Sequence, residues 1–349
     1  MLFLNNMYLL KNQLKNIRPS SFKIDAKNRI FVNTDKGVDV FNGNKPDLSL
    51  LKKPRITIIE GLNLWFGDIA TGKSVIYCDT KPKTTVPFLA TVLGNNIKNF
   101  LTKNYLYPRV YLDNNLSKPQ YARISRKNVL IDDVFPNNIG LNGIYQVLND
   151  NLFLSQNNEK FGVFNFENTC IWQHSYSELL NSDKAFLSSD IIVHKEKLYF
   201  FLAGTPNNKT FCIDIKTGKI EHIYKELKMF SYIEDDLLYT LFNKKLNILN
   251  TITQEIKTID FTGELKKYNI YTDQNFAVQN GLIYFKQSMG ADVARIGILD
   301  PKTAKLIWKY DLPKGSGQVG SIQVQGDRIY VHTQDKTLHI FEKQKTTIA

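Results

Sequence analysis

The 349-residue chain has only three cysteines, Cys78, Cys170 and Cys212, and no two stand in a CxxC spacing. Thiols this few and this far apart exclude a disulfide framework and a thiolate zinc site, and they suit a reducing compartment. Long apolar runs are missing as well. No stretch approaches the roughly 18 uninterrupted apolar residues that cross a bilayer as a helix. The opening MLFLNNMYLLKNQLKNIRP is interrupted by Asn5, Asn6, Lys11 and Gln13. It lacks the charged start, continuous apolar centre and small-residue cleavage site of a secretory signal. The expectation is a cytoplasmic protein with no membrane span. Five histidines, His174, His194, His222, His332 and His339, form no HxH, HxxxH or HExxH pair, so local spacing offers no metal site. No GxSxG elbow and no Cys with a nearby His marks a nucleophile.

What the chain does have is aromatic and β-branched bulk. It carries 22 Phe and 17 Tyr against 19 Gly and 4 Met, and 43% of its residues are hydrophobic. That content is too apolar for a disordered chain, and the kinds of residue favour half-buried sheet. The formal net charge is +12, from 45 Lys and Arg against 33 Asp and Glu. The lysines are scattered and form no block. A positive balance of this size suits an acidic partner.

One short unit recurs along the sequence. A polar turn pair is followed by an alternating apolar run with an aromatic near its middle: KNRIFV (27–32), NDNLFL (149–154), KEKLYF (195–200), DDLLYT (235–240), NGLIYF (280–285) and GDRIYV (326–331). Each copy follows another short apolar strand, respectively FKID, YQVL, IIVH, FSYI, FAVQ and SIQV, so each reads as a hairpin. A second pair of strands follows most copies, as in FCIDIKTGKIEHIYKE (211–226) and IGILDPKTAKLIWKYDLP (296–313), where Asp opens the turn. Four antiparallel strands every ~40–50 residues predict an all-β fold, a single β-propeller of four-stranded blades over 1–349. Seven blades fit best and eight are possible, because the stretch 55–140 does not divide into regular units and 80–125 reads as irregular or inserted. The last copy supplies only three strands. The N-terminal MLFLNNMYLL is expected to add the fourth and close the ring, leaving no exposed edge.

The segments IDIKTGKI (213–220) and LDPKTAKLIW (299–308) resemble the repeat of quinoprotein-type (PQQ-like) propellers, over about 140–342. The resemblance implies the blade architecture. Members that act as dehydrogenases are exported and place an acid and a metal ion beside the quinone; this chain shows neither an export signal nor that ligand set, so the resemblance assigns it no cofactor.

The segment GDIATGKS, Gly67 to Ser74, fits the letters G-x-x-x-x-G-K-[ST] of a phosphate-binding loop, and NVLIDDVF (128–135) has the look of a strand ending in magnesium-holding acids. A nucleotide hydrolase is therefore one reading, helped by the helix-like spacing of FLATVLGNNIKNFLTKNY (88–105). Yet Asp68, Thr71, Gly72 and Lys73 fall on the positions of Asp214, Thr217, Gly218 and Lys219 in the repeat. Val75, Ile76 and Tyr77 favour strand, and Pro82 and Pro87 forbid a long helix after Ser74. A hairpin turn is the better reading.

The acid pairs Asp132–Asp133 and Asp235–Asp236 read as solvated turn residues. Tyr105, Tyr107, Tyr111 and Arg109 offer a stacking, basic surface for nucleic acid, or simply one face of a strand. No catalytic residue, metal ligand or cofactor is assigned. The partner surface is expected at the loops between second and third strands and between blades, on Lys36, Asn157, Lys160, Asn207, Lys209, Lys244, Lys286, Lys314, Gln318 and Lys336. The preferred function is a non-catalytic scaffold for a protein partner, such as an acidic one met in an inhibitor or immunity-type role. The alternatives are an enzyme with its site at the propeller axis, acting on carbohydrate or with a quinone, and the nucleotide hydrolase.

Overall fold

The structure, a computed structural model, describes residues 7–18, 21–92, 97–112, 118–205, 207–228, 231–272, 275–287 and 294–344. Turn chemistry dictates how the strands fold back. At Asn280–Gly281 both residues have positive φ, 55° and 71°, as a two-residue hairpin turn demands. Asn and Gly enter that region at low cost. Lys195–Glu196 adopts the same geometry, with φ of 45° and 62°. All six predicted hairpins are formed: Phe22–Ile24 with Ile30–Thr34, Gln146–Val147 with Leu152–Gln156, Ile192–His194 with Lys197–Ala203, Ser231–Glu234 with Leu237–Phe242, Phe276–Gln279 with Leu282–Gln287, and Val319–Gln325 with Arg328–Thr333.

The described residues form eight antiparallel sheets, the blades of a β-propeller, rather than the seven expected. In chain order we number them blades 1 to 8. The extra blade comes from the stretch that did not divide. Blade 2 is a regular meander, Pro54–Glu60, Asn63–Asp68, Lys73–Cys78 and Lys81–Val86. Its first turn is carried by Gly61 at φ 61°. Blade 3 is the irregular one. Its first strand, Leu89–Thr91, is joined to the second by a long connection containing a single 3-10 turn, Ile97–Phe100, so the helix-like spacing of 88–105 builds no α-helix among the described residues. The second strand is split into Tyr105–Leu106 and Arg109–Tyr111, both paired with Gln120–Ser125. Pro108 stands at the break, where it has no N–H to give the ladder. Blade 1 has three strands and blades 2, 4, 6, 7 and 8 have four.

The chain packs as two compact units, Ser20–Leu179 with blades 1–4, and Leu180–Ala349 together with Met1–Pro19 with blades 5–8. Within each unit successive blades are tied through their turns. In the first, Ala26 N–H donates to the Gly61 carbonyl, Arg126 pairs with Glu60, and Asn104 Nδ2 donates to Asp150 at 2.9 Å. In the second, His194 meets Asp236 at 2.8 Å, Glu234 accepts from the Asn280 and Gly281 N–H groups, and Gln279 Nε2 donates to the Gly326 carbonyl at 2.8 Å. The middle strands are buried on both faces: five consecutive residues of Lys197–Ala203 and four of Lys160–Asn165.

As expected, the N-terminal segment supplies the outer strand of blade 8. Tyr8–Leu14 pairs antiparallel with Leu338–Lys343; the first six residues of the expected strand lie outside the described ones. Side chains reinforce the joint. His332 Nε2 lies 2.7 Å from the Ile17 carbonyl, and Lys15 Nζ donates to Thr337 Oγ1 at 3.0 Å. His339, 1% exposed, has Nδ1 3.0 Å from Gln13 Nε2 and Nε2 3.0 Å from the Thr333 hydroxyl. An amide nitrogen only donates, so Nδ1 accepts and Nε2 carries the proton.

Two outcomes follow. Burial pushes the Cys212 thiol up to about 11, whereas Cys78 and Cys170 are exposed; native protein treated with iodoacetamide near pH 7.5 should label at Cys78 and Cys170 only, and label Cys212 once unfolded. Burial also holds the His339 imidazole below its usual range, opposed by Asp335 and assisted by Lys15 and His332. The neutral ring is the one the fold accepts, so its contribution is complete above the unfolded value of ~6.5 and is lost as pH falls below that and through the lower folded value. Urea unfolding at pH 7.5 and 5.5 should show wild type losing more stability than His339→Gln over that interval.

Candidate functional site

The phosphate-loop letters build a hairpin. Asn63–Asp68 and Lys73–Cys78 are paired strands, with Asp68 opposite Lys73. The Asp68 carbonyl accepts from Gly72 N–H at 2.9 Å, and its carboxylate accepts from Ala70 N–H at 2.9 Å. Burial raises the Asp68 carboxyl, but hydrogen bonds from Thr71, Lys52 and Ala70 outweigh this and hold it below the usual range. Gly72 sits at φ 67° and Gly218, in the matching turn after Asp214, at φ 69°. The chemistry of the two turns is shared, but their place differs. The Asp68 turn joins strands two and three of its blade, whereas the Asp214 turn joins strands three and four, at the blade's other end. Ser74 is fully buried and is the second residue of the strand Lys73–Cys78, so no helix N-terminus faces a phosphate here. The second acid segment, Ile131–Phe135, is an outer strand: Asp132 and Asp133 stand on it, not in a turn, at 3.0 and 3.7 Å from Arg123.

Other candidates resolve into structure. Tyr107 is wholly buried and stacks on Phe166 at 4.9 Å, so it offers no face to a base. The Arg109 guanidinium lies 5.4 Å from the Tyr121 ring centre. Asp236 accepts from His194 and Lys195, which hold its carboxyl below the usual range, Lys195 more than His194. Among the described residues no three His, Cys, Asp or Glu side chains converge as a metal site, so the ligands a quinone-side metal needs are not assembled there.

The ten predicted partner residues divide between the units. Lys36, Asn157 and Lys160 lie in blades 1 and 4, and the other seven in blades 5–8 and the connection between the last two. All lie at or beside the turns joining strands two and three, or on that connection. Several also have structural duties. Asn157 Oδ1 caps its own turn by accepting from the Glu159 and Lys160 N–H groups, both at 2.9 Å. Lys286 Nζ clips blade 7 to blade 8 by donating to the Val319 and Gly320 carbonyls at 3.0 and 2.7 Å. Gln318 N–H donates to Gln334 Oε1 at 3.1 Å, and Lys244 Nζ sits 4.5 Å from the Tyr271 ring centre. For Lys36, Lys160, Lys209, Lys244, Lys314 and Lys336, no carboxylate among the described residues lies within ion-pair distance.

One feature escaped the sequence reading. A cleft of about 1030 Å³ opens between blades 6 and 7, floored by Leu237, Tyr239, Ile248 and Ile259. Lys257 stands at its edge, at the end of a cross-strand row that the other blades also carry. In blade 7 the cross-strand row Tyr284, Ile298, Trp308 spans strands two to four, and Trp308 is 1% exposed, 5.5 Å from Tyr8 and 5.7 Å from Phe341. The same row in blade 4 ends in Trp172 and in blade 5 in His222. In blade 6 it runs Tyr239, Ile248, Lys257. The end of this row is not held to one residue type, for the Trp65 row of blade 2 ends in Thr84 and the Tyr330 row of blade 8 in Asn12.

No protein-family model matches the chain, and no curated protein matches it. Solved structures do. BamB from Moraxella catarrhalis is 10% identical, with a TM-score of 0.53 over 96% of this chain and 99% of that one. The computationally designed protein Ika8 is 11% identical, with a TM-score of 0.54 over 94% of this chain and 98% of that one. At such identities the likeness is one of fold, and it supports the propeller-repeat resemblance at that level alone.

Glu234 joins the two blades beneath the cleft, its oxygens 2.6 and 2.7 Å from the Asn280 and Gly281 nitrogens. Glu234→Ala leaves both amides without that charged acceptor and should cost about 1–3 kcal/mol by the usual worth of such bonds. Urea denaturation reads the loss, and an unchanged midpoint would show that the link carries no weight.

Proposed function

We propose that this protein is a non-catalytic scaffold that binds a protein partner bearing acidic groups, through the end of the blades where strands two and three are joined. The carrying observation lies within the second unit, where Lys209, Lys244, Lys314 and Lys336 have no carboxylate at ion-pair distance among the described residues. Short, hydrogen-bonded turns fix the backbone that carries this charge, and the uncompensated charge attracts and orients an oppositely charged surface. The Lys286 clip and the paired Gln318 and Gln334 add rigidity on the same turns. Among the described residues no helix is long and apolar enough to cross a membrane. The unpaired, exposed thiols Cys78 and Cys170 support a cytoplasmic setting.

The test is affinity capture from the source cell, followed by identification of the bound protein and titration of the purified pair. Lys209→Glu, Lys314→Glu and Lys336→Glu combined should weaken association at least about tenfold near 0.15 M salt, with an unaltered unfolding midpoint. Wild-type affinity in that triple variant would overturn the reading.

A further inference from the structure

We propose that a cavity between blades 7 and 8 binds a free α-amino acid with an apolar side chain, held as its zwitterion. The inference goes beyond the scaffold reading and does not depend on it. The cavity opens where strands one and two are joined, at the end of the blades opposite the lysine turns. Its walls all belong to the second unit. A volume of about 360 Å³ is at the small end for ligand pockets, so it suits a small molecule.

Hydrogen-bond supply sets what the occupant must offer. Tyr8, on the amino-terminal strand, and Tyr284, on strand two of blade 7, line the cavity and are each 3% exposed. Their hydroxyl oxygens stand 3.3 Å apart. Burial raises both phenols, so each keeps its proton at neutral pH. One proton bridges the pair, and the second has no acceptor among the described residues. The Trp308 Nε1–H, on a ring 5.5 Å from that of Tyr8, lacks an acceptor as well. A buried donor left unmet costs free energy, and an acceptor entering the cavity meets the phenol. Lys343 also lines the cavity, with no carboxylate at ion-pair distance among the described residues. Its charge makes an anionic acceptor, a carboxylate, the better fit.

The opposite charge completes the ligand. Asp327, in the turn between strands one and two of blade 8, lines the cavity and has no Lys, Arg or His at ion-pair distance among the described residues. Its carboxylate takes an ammonium group. One carboxylate and one ammonium that do not pair with each other match a ligand carrying both; an occupant of single charge is repelled by one of them. Met7 and Leu282 supply apolar wall, both only partly covered by the core beside them. That wall suits the side chain of an aliphatic amino acid.

The probe is L-leucine, titrated calorimetrically into the full-length protein near pH 7.5. Saturable binding at one site per chain is expected, with Kd below about 1 mM. L-Leucinamide lacks the carboxylate, 4-methylpentanoate the ammonium and glycine the side chain; each should bind at least about tenfold more weakly. Asp327 and Lys343 are exposed, so Asp327→Asn and Lys343→Gln should keep the wild-type unfolding midpoint while each weakens L-leucine binding about tenfold. No saturable binding up to about 10 mM, equal affinity for the four ligands, wild-type affinity in either variant, or binding of D-glucose in place of L-leucine would each overturn the proposal.

Discussion

Neither face of a blade can be left to water. The middle strands carry apolar side chains on successive residues, so both sides of each sheet need a neighbour, and no blade is stable alone. Side-chain packing between sheets supplies the bulk of that cover, as in the cluster linking Tyr239, Leu241 and Leu246 of blade 6 to Ile283, Phe285 and Leu299 of blade 7. The turn-to-turn hydrogen bonds then fix one blade against the next at a set angle. His194 to Asp236, Glu234 to Asn280 and Gln279 to Gly326 form a relay from blade 5 to blade 8, in which blades 6 and 7 are each tied to both neighbours.

Much of this was legible in the residues. Six hairpins, the Asp-opened turns and the N-terminal strand follow from alternation and turn chemistry. The blade count did not, for two physical reasons. Blade 2 keeps the hairpin pattern as IIEGLNLWF, where Gly61 is the signal that places it beside NGLIYF, but its Asp-x-x-Thr-Gly-Lys turn has moved to the opposite end of the sheet. Blade 3 replaces its first hairpin with a long connection and breaks its second strand at Pro108, which erases the period. The cleft was hidden more deeply. A bulge between Ile298 and Leu299 puts blade 7 one residue out of step with blade 6, so the equivalence of Lys257 and Trp308 emerges only from cross-strand pairing. Convergence of residues from different blades has no local spacing at all.

A repeat protein of this kind separates what makes the frame from what makes the site. Positions that obey the repeat are spoken for by packing: Tyr107 and Trp308 belong to interfaces, and Asp214 to its turn. Departures from the repeat are where the surface acquires character. The cleft between blades 6 and 7 leaves Leu237 and Ile248 only partly covered, and turns that place lysine away from carboxylates concentrate charge.

The pairing of the first strand with the last has a consequence for synthesis. Gln13 and His339 stand 326 residues apart in sequence, so at about 5–20 residues per second the early strand waits roughly 20–60 s on the ribosome before its mate emerges. During that wait it is an apolar ribbon without a ladder, and an interrupted product would keep it so. Quality control therefore has a ready criterion for unfinished chains of this protein: an amino-terminal strand that has found nothing to pair with.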